Sequence, residues 1–194
     1  MNALDSTLTR CGWVTGDPLY LDYHDQEWGV PVRDDQKLFE HLCLENAQAG
    51  LSWLTVLKKR ENYRKAFAHF TPEKVVRFTP AKVDKLMTNA GLIRNRKKLE
   101  AVVNNAKLFL EIQEEFDSFY DYSMQFIGGK RKINRWKSLK QVPAQTKESE
   151  AFSKDLKMRG FKFVGPTIMY AHMQACGMVH DHTTDCFRYQ ELVK

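Results

Sequence analysis

The sequence predicts an all-α protein, built as a single domain over residues 1–194. No segment alternates apolar and polar residues for long enough to form a half-buried strand, whereas several segments repeat apolar residues at spacings of three and four. Hydroxyl, proline and glycine residues also divide the chain at helix-like intervals. A chain of 194 residues that is 43% hydrophobic is long enough to bury a sizeable core.

The first two predicted helices follow polar capping residues. Asp34 or Asp35 is expected to cap a helix through KLFEHLCLENAQA, and Gly50 is expected to stop it. Ser52 then precedes WLTVLKKRENYRKAF and is expected to cap the next helix.

Two threonine–proline pairs mark the following helix starts. Thr71 and Thr79 each place a hydroxyl before a proline, which is favoured at the first helical position. The second of these helices is expected to run through AKVDKLMTNA to Gly91. The segment IRNRKKLEAVVNNAKLFLEIQEEF then carries apolar residues at mixed spacings of three and four, which predicts a long amphipathic helix.

Breakers separate this helix from the last third of the chain. Gly128–Gly129 and Pro143 interrupt the pattern, and the basic stretch GGKRKINRWK between them, residues 128–137, is expected to be an exposed loop. A solvated loop without a ligand and a loop that contacts nucleic acid are both consistent with that composition. Thr146 is expected to start ESEAFSKDLKMR, which Gly160 ends.

The segment RGFKFVGPTIMYAHMQACG has the pattern of two helices joined by a tight hairpin. Gly165 permits the turn, and Pro166 begins the second helix without losing a needed donor. The free amides of that first turn are suited to a phosphate. Many helix pairs share such a glycine turn, but Lys157, Arg159 and Lys162 around it favour contact with a DNA backbone.

Each end of the chain carries one thiol and one imidazole at metal-ligand spacing. Twelve residues separate Cys11 from His24, and three separate His182 from Cys186. Two cysteines and two histidines fill a tetrahedral zinc shell. If they share one ion, the zinc is structural and fastens the N-terminal segment to the C-terminal one, because four protein ligands leave no position for a substrate.

The other two cysteines, Cys43 and Cys176, are expected to be ordinary thiols. The nearest rival metal set pairs Cys176 with His172 or His180.

Charge and hydropathy limit the partners. Thirty Lys and Arg against 24 Asp and Glu give a net charge of +6, which makes a polyanion a plausible partner but is also found in merely basic proteins. No apolar run approaches a membrane span, and MNALDSTLTR lacks the apolar stretch of a signal peptide. We therefore expect a cytoplasmic protein that does not bind membranes.

Aromatic residues and one carboxylate are concentrated in the first third of the chain. Aromatic faces stack on nucleobases and attract cationic rings, and a nearby carboxylate could accept hydrogen bonds from an exocyclic amine. The alternative is that the rings fill the core and that Glu45 is an exposed helical glutamate. The residues concerned are Trp13, Tyr20, Tyr23, Trp28, Glu45 and Trp53.

Long collinear stretches identify a family. The chain closely resembles the bacterial 3-methyladenine DNA glycosylase I family over about Cys11 to Cys186. The matching stretches are CGWVTGDPLYLDYHDQEWGVP, LCLENAQAGLSWLTVLKKRENYRKAF, AGLIRNRKKLEAVVNNA and MRGFKFVGPTIMYAHMQACGMVHDH. The resemblance implies a helix–hairpin–helix glycosylase fold with a DNA-binding cleft between two helical lobes. It also implies that Cys11, His24, His182 and Cys186 share one structural zinc ion.

The resemblance also implies a reaction and a pocket. The family excises 3-methyladenine from alkylated double-stranded DNA by hydrolysing the N-glycosidic bond, which starts base-excision repair and releases the free base. Its base pocket maps onto the six residues above, with Glu45 as the catalytic contact and with Trp53 and Tyr23 as stacking partners. Gly50 and Leu51 map onto the wedge that enters DNA after base flipping. A monomer is expected.

The hairpin indicates that the strand stays intact. Relatives that also cut DNA place a Schiff-base lysine early in the second hairpin helix, where this chain has Thr167 next to Gly165 and Pro166 in the DNA-binding hairpin. A monofunctional glycosylase is therefore expected. Asp181 is retained as a candidate for stabilising the sugar cation or supporting a zinc ligand, and Asp185 lies near the same place. A non-catalytic, zinc-clasped module that recognises damaged DNA is the alternative of another class.

Overall fold

A computed structural model of the protein describes residues 8–193, and this part of the chain is mainly helical, as expected. Residues 1–7, which hold most of the segment used for the signal-peptide prediction, lie outside it. The α-helices of the described residues are α1 (Pro18–Gln26), α2 (Asp35–Gln48), α3 (Trp53–Ala66), α4 (Pro72–Val75), α5 (Pro80–Met87), α6 (Arg96–Phe116), α7 (Phe119–Met124), α8 (Lys147–Met158), α9 (Pro166–Ala175) and α10 (Phe187–Val193). Short 3-10 helices occupy Ala68–Phe70, Gln125–Ile127 and Leu139–Gln141.

Four of the predicted capping residues cap their helices. The first is Asp34, whose carboxylate accepts a hydrogen bond from the Lys37 amide at 2.8 Å. The other three are Ser52, Thr79 and Thr146, each with a side chain that accepts from the amide three residues later.

Two of the capping predictions need correction. Asp35 is the first residue of α2, and its carboxylate instead accepts the amides of Phe119 and Tyr120, at 2.7 and 3.0 Å. It therefore fixes the start of α7 against α2. Thr71 does not cap α4, because its hydroxyl donates to the carbonyl of Ala68 at 2.9 Å.

Helices α1, α7 and α10 were not predicted from the sequence. Helix α1 begins with a capping residue followed by a proline, the same pattern that predicted α4 and α5. Asp17 accepts a hydrogen bond from the Leu19 amide at 3.0 Å, and Pro18 is the first residue of the helix. The omission matters because α1 carries Tyr20, Tyr23 and His24.

Helix α2 lies at the centre of the fold. It packs against α3, α6, α7 and α9, while α8 packs closely on α9. The core side chains of α2, such as Leu38, Phe39 and Leu42, are fully buried. Burial of each such side chain contributes roughly 1.5–3 kcal/mol. Because α2 also carries Glu45, this packing holds the carboxylate on a rigid element.

A two-residue parallel strand pair corrects the all-α expectation in one place. Strand β1 (Lys132–Ile133) pairs with β2 (Val179–His180) in the described region. The main-chain bonds continue beyond the strands, since the Asn134 amide donates to the His180 carbonyl and the Thr184 amide to the Trp136 carbonyl. The basic stretch 128–137 is thus exposed for much of its length, as predicted, but is fastened to the segment that holds the C-terminal metal-ligand candidates.

The Arg131 side chain secures the same region. Its guanidinium donates to the carbonyls of Leu192 at 2.7 Å and Gly29 at 2.6 Å. It therefore ties the basic stretch to α10 and to the turn after α1. Within residues 8–193 no helix has the length and apolar character needed to cross a membrane.

Candidate active site and metal cluster

The two predicted ligand pairs meet at one place. Cys11, His24, His182 and Cys186 are all buried, and one ligand atom from each lies within 4.8 Å of the others. Cys186 Sγ lies 3.5 Å from His24 Nε2 and 3.5 Å from His182 Nδ1, and Cys11 Sγ lies 3.4 Å from His182 Nδ1. A tetrahedral zinc ion with ordinary bond lengths places sulfur and nitrogen ligands about 3.5 Å apart. The donor set and its spacing therefore fit such an ion.

The other ring nitrogen of each histidine is already occupied. His24 Nδ1 lies 2.7 Å from Asp25 Oδ1, and His182 Nε2 donates to the Trp28 carbonyl at 3.0 Å. Arg10 in turn holds Asp25 through hydrogen bonds of 2.7 to 3.1 Å. These bonds orient His24 Nε2 and His182 Nδ1 toward the thiols, which is the arrangement of metal-bound imidazoles.

The thiols also interact with each other. The hydrogen bond with Cys186 raises the pKa of Cys11, and burial raises it further. The same hydrogen bond lowers the pKa of Cys186. A bound cation would hold both sulfurs as thiolates. Among residues 8–193 no other group of three or more such ligands forms: Cys43 and Cys176 are free buried thiols, and the rival pair of Cys176 and His172 gains no third ligand.

A cavity of about 310 Å³ opens beside this cluster. It brings together all six residues that were assigned to base binding, namely Trp13, Tyr20, Tyr23, Trp28, Glu45 and Trp53. Thr167, Asp181 and Cys11 line it as well. Residues from the N-terminal segment, α1, α2, α3 and α9 thus form one site, although they are far apart in sequence.

The aromatic rings contact one another at steep angles. Trp13 packs against Tyr20 and Trp28 with ring centroids 5.1 and 5.0 Å apart, and Tyr23 packs against Trp53 at 5.4 Å. The interplanar angles lie between 52° and 71°. Tilted and edge-to-face contacts are the arrangements that aromatic pairs prefer, and electron-rich ring faces attract a flat cation.

Glu45 is the unusual group in this cavity. Its side chain is 4% exposed, and burial raises its pKa to about 8. Within residues 8–193 it has no hydrogen-bond donor, and the indole N–H of Trp53 is likewise buried without an acceptor. Unpaired polar groups in an apolar cavity cost roughly 1–3 kcal/mol each. Their presence indicates a site shaped for a ligand that supplies the missing partners, and it excludes the exposed-glutamate alternative.

Asp181, unlike Glu45, is fully hydrogen-bonded. Its carboxylate accepts four hydrogen bonds of 2.5 to 2.8 Å, and none of the donors is a zinc-ligand candidate. The donors are Asn134, Trp136, Tyr170 and Gln174. The proposed support of a zinc ligand by Asp181 is therefore wrong in this structure. Asp25 instead supports a ligand candidate, because its carboxylate lies 2.7 Å from His24 Nδ1. Its position directly after the histidine in the sequence could have indicated this role. Asp185 is exposed and does not line the cavity.

The predicted wedge lies at the end of α2. Gly50 has a φ of +80°, which favours glycine, and Leu51 is a large apolar side chain that is 42% exposed. The amine of Lys98 donates to the carbonyls of Ala47 and Ala49, at 2.8 and 2.6 Å. Lys98 thus closes the end of α2 and supports the turn, a role that its place in the long helix α6 gave no reason to expect.

The segment that was predicted to form the hairpin joins α8 to α9. Gly165 is the N-cap of α9, and Thr167 is exposed at the rim of the cavity. Asn105 holds the turn through hydrogen bonds to both the amide and the carbonyl of Lys162, at 2.9 and 3.0 Å. Arg159 does not present a free cation here, because it pairs with Glu115. Lys162 remains exposed.

Comparison with known proteins gives consistent results. The methyladenine glycosylase family profile matches residues 13–189. The chain is 50% identical to DNA-3-methyladenine glycosylase 1 of Escherichia coli K12 over 94% of this chain and 97% of that protein. It is 52% identical to DNA-3-methyladenine glycosylase of Haemophilus influenzae over 92% and 96%. A Staphylococcus aureus structure on 3-methyladenine recognition by 3-methyladenine DNA glycosylase I superposes with a TM-score of 0.90 at 41% identity, covering 93% of this chain and 96% of that one.

Proposed function

The chain belongs to the methyladenine glycosylase family, and from this we propose that it excises 3-methyladenine from alkylated DNA by hydrolysing the N-glycosidic bond. The observation that carries the proposal is Glu45, an unpartnered buried carboxylate in an aromatic cavity that could hold a purine. The reaction is a first step of base-excision repair, and the products are free 3-methyladenine and an abasic site.

The chemistry suits these residues. Methylation at N3 makes the adenine cationic, and breaking the bond to the sugar releases a neutral base, so the leaving group needs little acid catalysis. The pocket must hold the flipped base and favour its charge. Electron-rich faces of Tyr23 and Trp53 do this, and the ionised Glu45 accepts hydrogen bonds from the exocyclic amine. A cationic base next to Glu45 lowers its pKa, so that the carboxylate ionises as the substrate binds.

Glu45 also separates adenine lesions from guanine lesions. A 3-methylguanine presents a carbonyl where 3-methyladenine presents the amine, and two facing acceptors in a dry pocket cost roughly 1–3 kcal/mol. Undamaged adenine is rejected differently. It carries no charge to interact with the rings, and its glycosidic bond is much harder to break.

The product strand stays uncut in this proposal. Thr167 stands at the rim where a bifunctional relative would place a lysine, and a hydroxyl cannot form an imine with the sugar. The Gly165 hairpin between α8 and α9 fits a helix–hairpin–helix seat for the DNA backbone, and Leu51 fits the wedge into the double strand. We assign the enzyme a single domain with two lobes, a monomeric state and a cytoplasmic location, where DNA is accessible.

The metal of the cluster is zinc in this proposal. Cys11, His24, His182 and Cys186 would hold it, and when bound it supplies a structural cross-link between the two ends of the described chain. The four protein ligands complete its shell, so no reaction step involves it.

Base release from methylated DNA tests the function. The protein is incubated with methylated double-stranded DNA, and the released bases are separated by chromatography. We expect a 3-methyladenine peak that grows with enzyme concentration, and a much smaller one with Glu45→Gln. Tight binding to methylated DNA without any released base would instead establish the non-catalytic damage-binding module.

A further inference from the structure

The basic stretch beside the cavity has an arrangement that the proposed function does not use. Three of its cations and one from the 3-10 helix that follows it, here together called the loop cations, are exposed. They are Lys130, Arg135, Lys137 and Lys140. No ion pair joins any of them to a carboxylate within the part of the chain that the structure describes. Their neighbours Lys132 and Arg131 differ, since Lys132 pairs with Glu148 and Arg131 donates to the carbonyls of Leu192 and Gly29.

The backbone that carries Arg135 and Lys137 is held in place by hydrogen bonds. Residues 132–136 run alongside residues 178–184 through main-chain hydrogen bonds. The Asn134 and Trp136 side chains turn inward and donate to Asp181 at 2.7 and 2.8 Å. Arg135 and Lys137, which alternate with these two residues along the chain, are exposed to solvent. The buried carboxylate of Asp181 thereby fixes the segment of residues 134–137, whose exposed cations form a positively charged edge.

This edge borders the cavity mouth. The chain continues from Lys137 into the 3-10 helix Leu139–Gln141, and Leu139 both lines the cavity and is 45% exposed. A lining residue with that exposure lies at the rim. Val142, Pro143 and Ala144 then extend the wall. Thr167 of the hairpin is exposed on the same rim. A nucleotide with its base in the cavity must therefore leave its sugar and phosphates between these segments.

We propose that the loop cations form a second DNA-backbone contact, which binds the phosphates flanking the flipped nucleotide, and that Asp181 is the positioning residue that holds this surface. The proposal rests on the proposed function, because it takes the cavity to be the base pocket. Among the described residues these cations have no carboxylate partner, and the segment that carries them contains the rim residue Leu139. They therefore suit the phosphates on either side of a base that is held in the cavity.

Salt dependence measures such contacts. Binding of an uncleavable duplex with one tetrahydrofuran abasic-site analogue is followed by fluorescence anisotropy between 50 and 200 mM KCl. Each phosphate contact contributes about 0.9 to the slope of log K against log salt concentration. The double variant Arg135→Gln with Lys137→Gln should lower the magnitude of the slope by about 1.8 and should weaken binding at 100 mM KCl at least about fivefold.

The matched control removes the same charges elsewhere. Lys74 and Arg77 are exposed, lie on and just after α4, and do not line the cavity. Lys74→Gln with Arg77→Gln should leave the slope unchanged. Asp181→Asn with all loop cations intact should also lower the magnitude of the slope, and a slope equal to that of the wild type would overturn the positioning role of Asp181.

The outcomes separate this proposal from the proposed function. An unchanged slope in the Arg135/Lys137 variant overturns the inference, and so does an equal loss in the Lys74/Arg77 control, which would show only a general effect of net charge. Base release by the wild-type enzyme is judged independently. If no 3-methyladenine is released while the slope still falls as expected, the proposed reaction fails and the DNA-binding surface stands.

Discussion

Replacing Glu45 by glutamine should make the protein more stable and less active. Burial raises the pKa of Glu45 to about 8, from 4.5 for an unperturbed glutamate. Between these two values the folded state keeps the proton and the unfolded state releases it, so stability falls as the pH rises. The free energy of unfolding falls by about 1.4 kcal/mol per pH unit for each proton that unfolding releases. Between pH 4.5 and about 8 the free energy of unfolding of the wild type should fall by roughly 3–5 kcal/mol. Glu45→Gln does not titrate and should not show this loss.

Urea denaturation at pH values from 5 to 9 measures this difference. The two proteins should have nearly equal free energies of unfolding at pH 5, and the variant should gain steadily up to about pH 8. Glu40→Gln is a control on the same helix. Burial works against ionisation of Glu40, but the hydrogen bond from Arg64 and the charge of Lys37 outweigh it and lower its pKa. Its replacement should therefore destabilise the protein at neutral pH.

Activity should change in the opposite direction. Under single-turnover conditions Glu45→Gln should excise 3-methyladenine about 10- to 100-fold more slowly, since a charged hydrogen bond contributes about 1.5–3 kcal/mol. If the stability difference did not vary with pH and excision remained at the wild-type rate, Glu45 would be an ordinary structural residue and the pocket would have to lie elsewhere.

The other predictions concern the metal, the product strand and one backbone contact. Cys186→Ser should release the zinc measured by atomic absorption and lower Tm, whereas Cys43→Ser should retain the zinc; full metal content in the first variant would refute the ligand set. Because Thr167 cannot form an imine, borohydride should trap no enzyme–DNA adduct, and the strand should break only after alkali; a trapped species would contradict this. Gly177→Ala should lower the free energy of unfolding by roughly 2 kcal/mol or more, since the residue has a φ of +67° and a Cβ there would lie 2.6 Å from the backbone of a neighbouring turn. Gly16→Ala, where nothing lies within 4 Å of the added atom, should have little effect, and equal unfolding curves for the two variants would argue against the close contact.

The metal cluster shows what local sequence can predict. Each ligand pair follows a spacing set by a short stretch of chain, so both pairs were visible without a structure. That the pairs meet is a long-range fact, and the resemblance to a family implied it before the geometry placed the four groups within 4.8 Å of one another. Helix starts such as Asp34 and Ser52 were predicted for the same local reason, because a cap interacts with amides two or three residues away.

The errors arise where tertiary contacts decide. Thr71 has the sequence of a cap, yet its hydroxyl donates to a carbonyl in the preceding turn. The partner of Asp35 is the start of α7, more than 80 residues away in sequence, so the residues around Asp35 do not predict the contact. Strand β1 is two residues long, so its pairing leaves no periodic signal in the sequence. The four donors of Asp181 come together only through that pairing and through α9, and no pattern within the segment HDHTTD predicts them.

The four metal-ligand candidates lie beside the proposed base cavity, and their contacts give a reason for that position. Cys11 lines the cavity, and Trp13 follows it two residues later and packs against His24 with ring centroids 5.3 Å apart. Trp28 packs against His182 at 4.6 Å. The metal-ligand candidates thus carry or support two of the aromatic walls. N- and C-terminal segments held only by their own packing would fray, and a wall displaced by 1 Å could no longer hold a flat base in place. In the proposed function, a zinc ion held by all four residues would stiffen these segments and leave the specificity of the cavity to Glu45 and the rings.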